Sequence, residues 1–224
     1  MRQVVLDTET TGLSAQSGHR VIEIACVEMV NRRLTNRHFH TYLNPQRDVD
    51  EGAFRVHGIS RAFLQDKPLF KDILPDLLAF IEEAEVIIHN APFDLSFIDV
   101  EFKRAKHHQS FEQHCRIFDT LVFAREKHPG LRNNLDALCK RYHIDNANRE
   151  LHGALLDAEL LAWVYLAMTG GQGELFAGDA SLKPQKEAVS DVVLNSVSPV
   201  ILASAEELAS HDAFVQWIVE RSKG

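Results

Sequence analysis

The chain has 224 residues, of which 45% are apolar, and a formal net charge of −8. This length allows one sizeable buried core, with residues left over for a tail. The negative charge argues against a protein that grips long nucleic acids through their phosphates, because that requires an excess of Lys and Arg. The three cysteines form no C-x-x-C pair and predict no disulfide framework, which fits a reducing cytoplasm. Because no apolar run could cross a membrane and residues 1–20 lack a signal peptide, we expect a soluble cytoplasmic protein with no membrane partner.

The first part of the chain predicts three strands, at residues 3–6, 21–30 and 37–43. The first strand ends in the polar turn Asp-Thr-Glu-Thr-Thr-Gly, which Gly12 closes. Asn31-Arg32-Arg33 is the expected hairpin turn between the second and third strands. A loop-rich stretch containing Gly52 and His57-Gly58 follows.

Strands then alternate with helices. Short strands are predicted at 86–88 and 115–118, and helices at 69–83, 93–105, 119–127, 134–142 and 153–168. Pro75 is expected to kink the first helix. Three antiparallel strands followed by alternating strands and helices predict an α/β domain with a mixed, helix-covered sheet.

A change of composition after Gly170 marks the end of this domain. The residues beyond it are rich in Gly, Ser, Lys, Gln and Pro, which predicts a flexible linker over 171–198. Residues 199–224 regain some apolar content, including Phe214, Trp217 and Ile218. Those residues are too few for an independent core and indicate a segment that folds against a partner.

Asp7 and Glu9 are the first candidates for chemistry. They are two residues apart at the end of a strand, so both side chains project from the same face. Adjacent carboxylates are costly unless a positive charge lies between them, and their oxygens suit hard divalent ions such as Mg²⁺ or Mn²⁺. An acidic turn or helix cap explains the pair equally well at this point.

Three later residues extend this set. Asp94 follows the strand at 86–88 and lies in the first turn of a helix, where capping alone also explains an Asp. Asp157 lies on an otherwise apolar helix, where a buried carboxylate needs a partner such as a metal. His152 just precedes that helix, and an imidazole there is a candidate general base. With twelve histidines in the chain, a surface role for His152 stays open.

The order Asp-x-Glu, a distant Asp and then His-x4-Asp resembles the DEDDh branch of the DnaQ-like exonuclease superfamily. The resemblance covers residues 2–170 and is closest to the proofreading subunits of bacterial replicative DNA polymerases. Five blocks carry it in order: Leu-Asp-Thr-Glu-Thr-Thr-Gly, Val-His-Gly-Ile, Ile-His-Asn-Ala-Pro-Phe-Asp, Asn-Asn-Leu-Asp-Ala-Leu-Cys and Leu-His-Gly-Ala-Leu-Leu-Asp-Ala.

The resemblance implies a ribonuclease H-like fold, in which helices flank a mixed five-stranded sheet, and a domain that spans residues 1–170. It implies catalytic residues Asp7, Glu9, Asp94, His152 and Asp157. Asp7, Glu9 and Asp157 would hold one Mg²⁺ or Mn²⁺ ion, and Asp7 and Asp94 a second, roughly 3.5–4 Å away. His152 would take the proton of the attacking water, so that a nucleoside 5′-monophosphate leaves the 3′ end of DNA.

The resemblance also implies where the substrate and partners bind. Expected contacts of the terminal nucleotide are Thr10, Thr11, Leu13, His57, Asn90 and Phe93. The register around Glu51 and Gly52 stays open, and His89 is expected to form a hydrogen bond within the core. Gln172, Leu175 and Phe176 match a short sliding-clamp-binding peptide, in which two apolar anchors and one amide enter a groove. Residues 199–224 would dock onto the polymerase subunit, and a small accessory subunit is a further expected partner.

Two alternatives stay open. The first keeps the chemistry and changes the substrate: a 3′–5′ exoribonuclease of the RNase T or oligoribonuclease kind. The second is a polymerase-stabilising subunit that no longer cuts. The clamp-like peptide and tail argue against the first, and the intact set of four acids with His152 argues against the second.

Overall fold

The computed structural model describes residues 1–147, 149 and 151–170. Its five strands are β1 (Arg2–Thr10), β2 (Val21–Val30), β3 (Arg33–Tyr42), β4 (Glu85–Ile88) and β5 (Arg116–Asp119). Its α-helices are α1 (Glu51–His57), α2 (Arg61–Leu64), α3 (Phe70–Ile81), α4 (Ala91–Arg104), α5 (Thr120–Lys127), α6 (Leu135–Tyr142) and α7 (Ala154–Thr169). Short 3₁₀ helices cover Ala15–Ser17 and Phe111–Gln113.

The strands form one mixed sheet in the order β3-β2-β1-β4-β5. β1 and β2, and β2 and β3, are antiparallel, whereas β1 and β4, and β4 and β5, are parallel. The predicted α/β fold, a mixed five-stranded sheet flanked by helices, is confirmed. The parallel pairing of β1 with β4 extends only from Gln3 to Val5 on β1, so the end of β1 continues beyond this neighbour.

Strand β1 is longer than the sequence predicted. It continues through Asp7 and Glu9 to Thr10, because β2 pairs with it along this whole length, with Asp7 opposite Ala25 and Glu9 opposite Glu23. An irregularity in the register follows Glu9. The acids therefore lie within a strand rather than in the predicted turn, and pairing through the backbone overrides their low strand propensity.

The hairpin between β2 and β3 has a two-residue turn. Asn31 and Arg32 both have positive φ, 49° and 62°, as the tight turns favoured in hairpins require. Arg33 already pairs with Val30, so the predicted turn was one residue too long and the third strand begins earlier than residue 37.

The predicted loop-rich stretch contains two short helices, which corrects that prediction. Gly58 caps the C-terminal end of helix α1: its φ of 70° is accessible to glycine, and its N–H donates to the Phe54 carbonyl at 2.8 Å. Helix α2 is capped by the Ser60 hydroxyl, which accepts from the Phe63 N–H. Helices this short show too little periodicity to be read from sequence.

Helices cover both faces of the sheet. On one face, Val4 and Leu6 of β1 pack in a core with residues of α3 and α4, among them Leu77 and Phe97. On the other, Val5 packs with residues of α6 and α7. Because side chains alternate along a strand, Asp7 and Glu9 continue the row of Val5 and face the side of α7.

The predicted linker (171–198), the clamp-binding-like peptide with Gln172, Leu175 and Phe176, and the docking segment (199–224) lie outside the described residues. Among the described helices, none combines the length and the apolar character needed to cross a membrane.

Candidate active site

Two carboxylates of β1 line a cleft of about 290 Å³ at the end of the sheet. Glu9 is buried, and Asp7 is partly exposed to the cleft. Asp94, His152 and Asp157 line the same cleft. The structure therefore brings together all five residues that the sequence proposed as catalytic, from one strand, two helices and one loop.

Asp94 lies in the first turn of α4 and is buried. Its Oδ1 accepts a hydrogen bond from the Thr8 hydroxyl at 2.6 Å. Thr8 stands between Asp7 and Glu9 on β1, so alternation directs it toward α4 while the two acids face α7. Sequence reasoning missed this role of Thr8, although its place between the two acids was a usable signal.

His152 and Asp157 meet Glu9 at the start of α7. One ligand atom from each of these three residues lies within 4.8 Å of the other two, the arrangement of a group that could hold a metal ion. The Nδ1 atom of His152 lies 3.3 Å from Oδ2 of Asp157. His152 is anchored through its backbone, whose N–H donates to the Val56 carbonyl at 3.1 Å, while its side chain stays 41% exposed.

Three of the four carboxylates have raised pKa values, as expected for a crowded acidic site. Burial, and then the charges of Asp94 and Glu9, raise the pKa of Asp7 well above its usual value. Burial, followed by the charge of Asp157, raises the pKa of Glu9 to about 8. Burial also raises the pKa of Asp94 to about 7, against the lowering effect of the Thr8 hydrogen bond. A positive charge in the cleft would lower these pKa values.

Arg149 supplies one such charge, and sequence reasoning missed it. Its guanidinium donates to both carboxylate oxygens of Asp157, at 2.5 and 2.7 Å. Burial raises the pKa of Asp157, but the hydrogen bonds from Arg149 and His152 outweigh burial and hold it below its usual value. Arg149 lies between α6 and α7, where no periodic pattern marks it.

A second, more apolar cavity of about 550 Å³ adjoins the cleft. It is lined by Thr10, Leu13, His57 and Phe93, four of the six residues that the sequence proposed as substrate contacts. Phe93, Thr8 and Glu9 line both cavities, so the two spaces adjoin at these residues. Val56, His19 and Asp50, which the sequence analysis did not single out, also line the larger cavity.

The other two proposed contacts lie elsewhere. Thr11 is fully buried, its backbone N–H and C=O bond to Arg20 and Asp50, and its hydroxyl contacts the His19 ring at 3.1 Å. Thr11 therefore has no open polar group for a substrate. Asn90 is exposed before α4, with a φ of 66°, and lines neither cavity.

The structure fixes the positions that the sequence left open around α1 and β4. Gly52 lines the larger cavity, whereas the exposed Glu51 pairs with Arg55 one turn along α1. His89 is half-buried, lies 2.9 Å from the Thr120 hydroxyl and also lines the acidic cleft. The expected hydrogen bond of His89 is therefore present, on a residue that borders the candidate site.

The model of an exonuclease family, described as "RNase_T: Exonuclease", matches residues 4–165. The DNA polymerase III subunit epsilon of Salmonella typhimurium is 50% identical over 221 residues, which cover 95% of this chain and 91% of that protein. The chain belongs to the DNA polymerase III subunit epsilon family. Two further epsilon subunits support this assignment. That of Escherichia coli is 49% identical and covers 95% of this chain and 91% of that protein. That of Rickettsia prowazekii is 45% identical and covers 98% of this chain and 97% of that protein.

Solved structures show the same fold at lower identity than the epsilon subunits. Exonuclease X in complex with 5′ overhanging duplex DNA superposes with a TM-score of 0.60 and 24% identity, covering 76% of this chain and 93% of that one. An exonuclease I structure superposes with a TM-score of 0.67 and 18% identity, covering 79% of this chain and 42% of that one. The predicted family and the predicted 3′–5′ exonuclease activity are confirmed.

Proposed function

We propose that this epsilon-family chain removes mispaired 3′-terminal nucleotides from DNA as the proofreading subunit of a bacterial replicative polymerase, through two-metal hydrolysis. The observation that carries this proposal is the convergence of four carboxylates and His152 in one cleft. The apolar cavity beside this cleft supplies a place for the nucleotide that is removed.

The donor set of the cleft suits hard divalent cations such as Mg²⁺ or Mn²⁺, because it consists of carboxylate oxygens whose ionisation needs a positive neighbour. Asp7, Glu9 and Asp157 would hold one ion, and Asp7 and Asp94 the second. When bound, such a pair stabilises the attacking and leaving oxygens of an in-line phosphodiester displacement. Asp94, held by Thr8, keeps a fixed orientation toward Asp7.

His152 is the proposed general base. Its ring lies at the mouth of the cleft, partly exposed, so it can take a proton from a water beside Glu9 and Asp157 and release it to solvent. The backbone bond to Val56 ties His152 to α1, which also borders the cavity for the nucleotide.

His57 carries the clearest signal of substrate binding. Its Nδ1 accepts the Ile59 backbone N–H at 2.9 Å, so Nε2 bears the ring hydrogen. Nε2 is buried on a side chain that lines the larger cavity, and it lies near the Thr10 carbonyl without forming a hydrogen bond of good geometry among the described residues. An unpartnered buried donor is costly, and a substrate oxygen would satisfy it. Leu13 and Phe93 would pack against the terminal sugar and base.

The partners and compartment remain part of the proposal. Residues 1–170 would form the exonuclease domain, and 171–198 a linker that presents Gln172, Leu175 and Phe176 to the sliding clamp. Residues 199–224 would dock onto the catalytic subunit of a DNA-directed DNA polymerase in the cytoplasm, with a small accessory subunit as a further partner. The net charge of −8 fits this view, because partners with an excess of Lys and Arg would add affinity for the DNA phosphates.

The test is digestion of a primer–template with a mismatched 3′ end by the purified full chain in Mg²⁺, with and without a chelator. We expect nucleoside 5′-monophosphates only when the metal is present. No hydrolysis in Mg²⁺ or Mn²⁺ would favour the polymerase-stabilising subunit without activity. Faster digestion of a single-stranded RNA than of DNA of the same sequence would favour the exoribonuclease.

A further inference from the structure

Arg149 contacts His152 and Asp157, two of the three residues that with Glu9 could hold a metal ion. Its Nε and Nη2 atoms bond to the two oxygens of Asp157, at 2.5 and 2.7 Å, and Nη2 also lies 3.0 Å from Nδ1 of His152. The remaining arm, Nη1, bonds to Asp136 at 2.5 Å. Only 6% of the side chain is exposed, so the guanidinium is inside the cleft rather than at its rim.

A divalent cation and this guanidinium compete for the same atoms. Both need the oxygens of Asp157, and two positive groups a few ångströms apart repel each other strongly when they are shielded from water. Arg149 also covers Nδ1 of His152, the nitrogen that lies 3.3 Å from Asp157. A cation bound by Glu9 and Asp157 would therefore compete with the contacts that Arg149 makes to Asp157.

We propose that Arg149 is a built-in competitor of the catalytic cations. It neutralises Asp157 and covers His152 until divalent ions load, and then withdraws from both. This inference rests on the proposed metal site and adds a regulatory step to it, because loading would free the Asp157 oxygens and the inward nitrogen of His152 together.

The architecture allows Arg149 to move while its partners stay. Asp157 is fixed on α7 and Asp136 on α6, whereas Arg149 lies between these helices, and the described residues around it form no helix or strand. Asp136 is 54% exposed and borders the cleft. A guanidinium that releases Asp157 can therefore keep its bond to Asp136 and turn toward solvent without losing its charge partner.

An ordinary supporting role for Arg149 predicts the opposite effect on metal affinity. Partners that orient a metal ligand increase affinity, and their loss weakens binding by about 10–100-fold. A competitor does the reverse, and its removal should tighten Mn²⁺ binding by about tenfold. The sign of the change therefore separates the two roles.

The experiment measures Mn²⁺ binding to the full chain by calorimetric titration, without DNA, for the wild type and Arg149→Gln. Arg20→Gln is the matched control, since Arg20 forms a similar two-bond contact with buried Glu101, at 2.5 and 2.7 Å, outside the acidic cleft. In chelator, both variants should melt roughly 5–10 °C below the wild type. Saturating Mn²⁺ should restore the melting temperature of Arg149→Gln but not that of Arg20→Gln.

Tighter Mn²⁺ binding by Arg149→Gln, with unchanged binding by Arg20→Gln, is the expected result. Equal or weaker binding by Arg149→Gln would overturn the inference and leave the proposed metal site standing. Absence of Mn²⁺ binding by the wild type would overturn the proposed metal site and the inference with it. If Arg149→Gln does not fold, Arg149→Lys is measured instead, because lysine keeps the positive charge but cannot form the two parallel hydrogen bonds of a guanidinium. This variant should bind Mn²⁺ a few-fold more tightly than the wild type. Unchanged affinity would refute the inference.

Discussion

The two adjoining cavities differ in chemistry and in construction. The acidic cleft is lined by carboxylates on β1, α4 and α7, which the sheet and its two cores hold in place. The larger cavity is mainly apolar and is formed by the residues that follow β1, by α1 and by Phe93. Strands and helices thus position the carboxylates proposed for the reaction, while a turn and a short helix form the surface proposed to bind the nucleotide.

This difference predicts separate kinetic effects. Changes in the cleft should reduce the rate of the chemical step, since the groups there act on the reacting atoms. Changes in the apolar cavity should weaken substrate binding and leave the chemical step nearly intact. The predictions below test whether the two cavities separate in this way, beginning with the largest expected effect.

Asp7→Ala should reduce kcat by at least about 10³-fold, because Asp7 is proposed to contact both cations. The variant should still fold, since the substitution removes a carboxylate whose pKa is raised by burial and by its acidic neighbours. The measurement is steady-state hydrolysis of a 3′-mismatched primer, with Asp76→Ala, an exposed acid on α3, as the control. Unchanged activity in Asp7→Ala would refute the assignment of the cleft.

His152→Gln should reduce kcat by about 10²-fold, the range expected for loss of a general base. Mn²⁺ binding should change much less than kcat, because the four carboxylates stay in place. The exposed His108 provides the control substitution, His108→Gln. An equal loss of Mn²⁺ affinity and kcat in His152→Gln would indicate that His152 is a metal ligand instead of a base.

Leu13→Ala should raise KM by about tenfold with kcat within about twofold of the wild type, as expected for loss of one apolar contact with a base. Leu13 is 88% exposed in the absence of substrate, so truncating it should cost no stability. Leu131→Ala, another exposed leucine that lines neither cavity, is the control. A fall in kcat with unchanged KM would contradict the division of roles between the cavities.

The same division governs what could be predicted from sequence. Asp7, Glu9, Asp94, His152 and Asp157 were found because their residue types and order form a motif, and the sheet holding them has buried strands with strong patterns. Helix α1 was missed because seven residues give two turns, too few to show a period. The apolar cavity, which α1 borders, was therefore only partly predicted.

The positions of Thr11 and Arg149 could not be predicted from sequence, because they depend on three-dimensional contacts. Thr11 follows Thr10 directly, yet the register irregularity after Glu9 and the bonds to Arg20 and Asp50 place it in the interior. Arg149 forms hydrogen bonds with Asp157, eight residues later in the chain, and with Asp136, which lies on the preceding helix α6. No local pattern encodes such contacts, since they depend on how α6 and α7 pack.

The last prediction concerns pH and isolates one carboxylate of the cleft. The pKa of Glu9 is raised from 4.5 to about 8, so the folded chain keeps a proton on Glu9 where the unfolded chain has lost it. Folding then takes up a proton, and the contribution of Glu9 to stability becomes less favourable as pH rises from about 4.5 to about 8. Below this window the group is protonated in both states and has no effect.

Glu9→Gln removes this titration and keeps the shape of the side chain. In chelator, the variant and the wild type should be similar in stability near pH 4.5, and the variant should gain by up to a few kcal/mol toward pH 8. Comparing the two chains cancels the contributions of His57 and His89, whose pKa values are lowered by burial and act in the opposite direction. The measurement is urea unfolding at several pH values. With saturating Mn²⁺ at pH 8, the wild type should become more stable than Glu9→Gln, because only the wild type offers the Glu9 carboxylate to a cation. A variant that stays more stable in Mn²⁺ would show that Glu9 belongs to the acidic cleft without serving as a ligand.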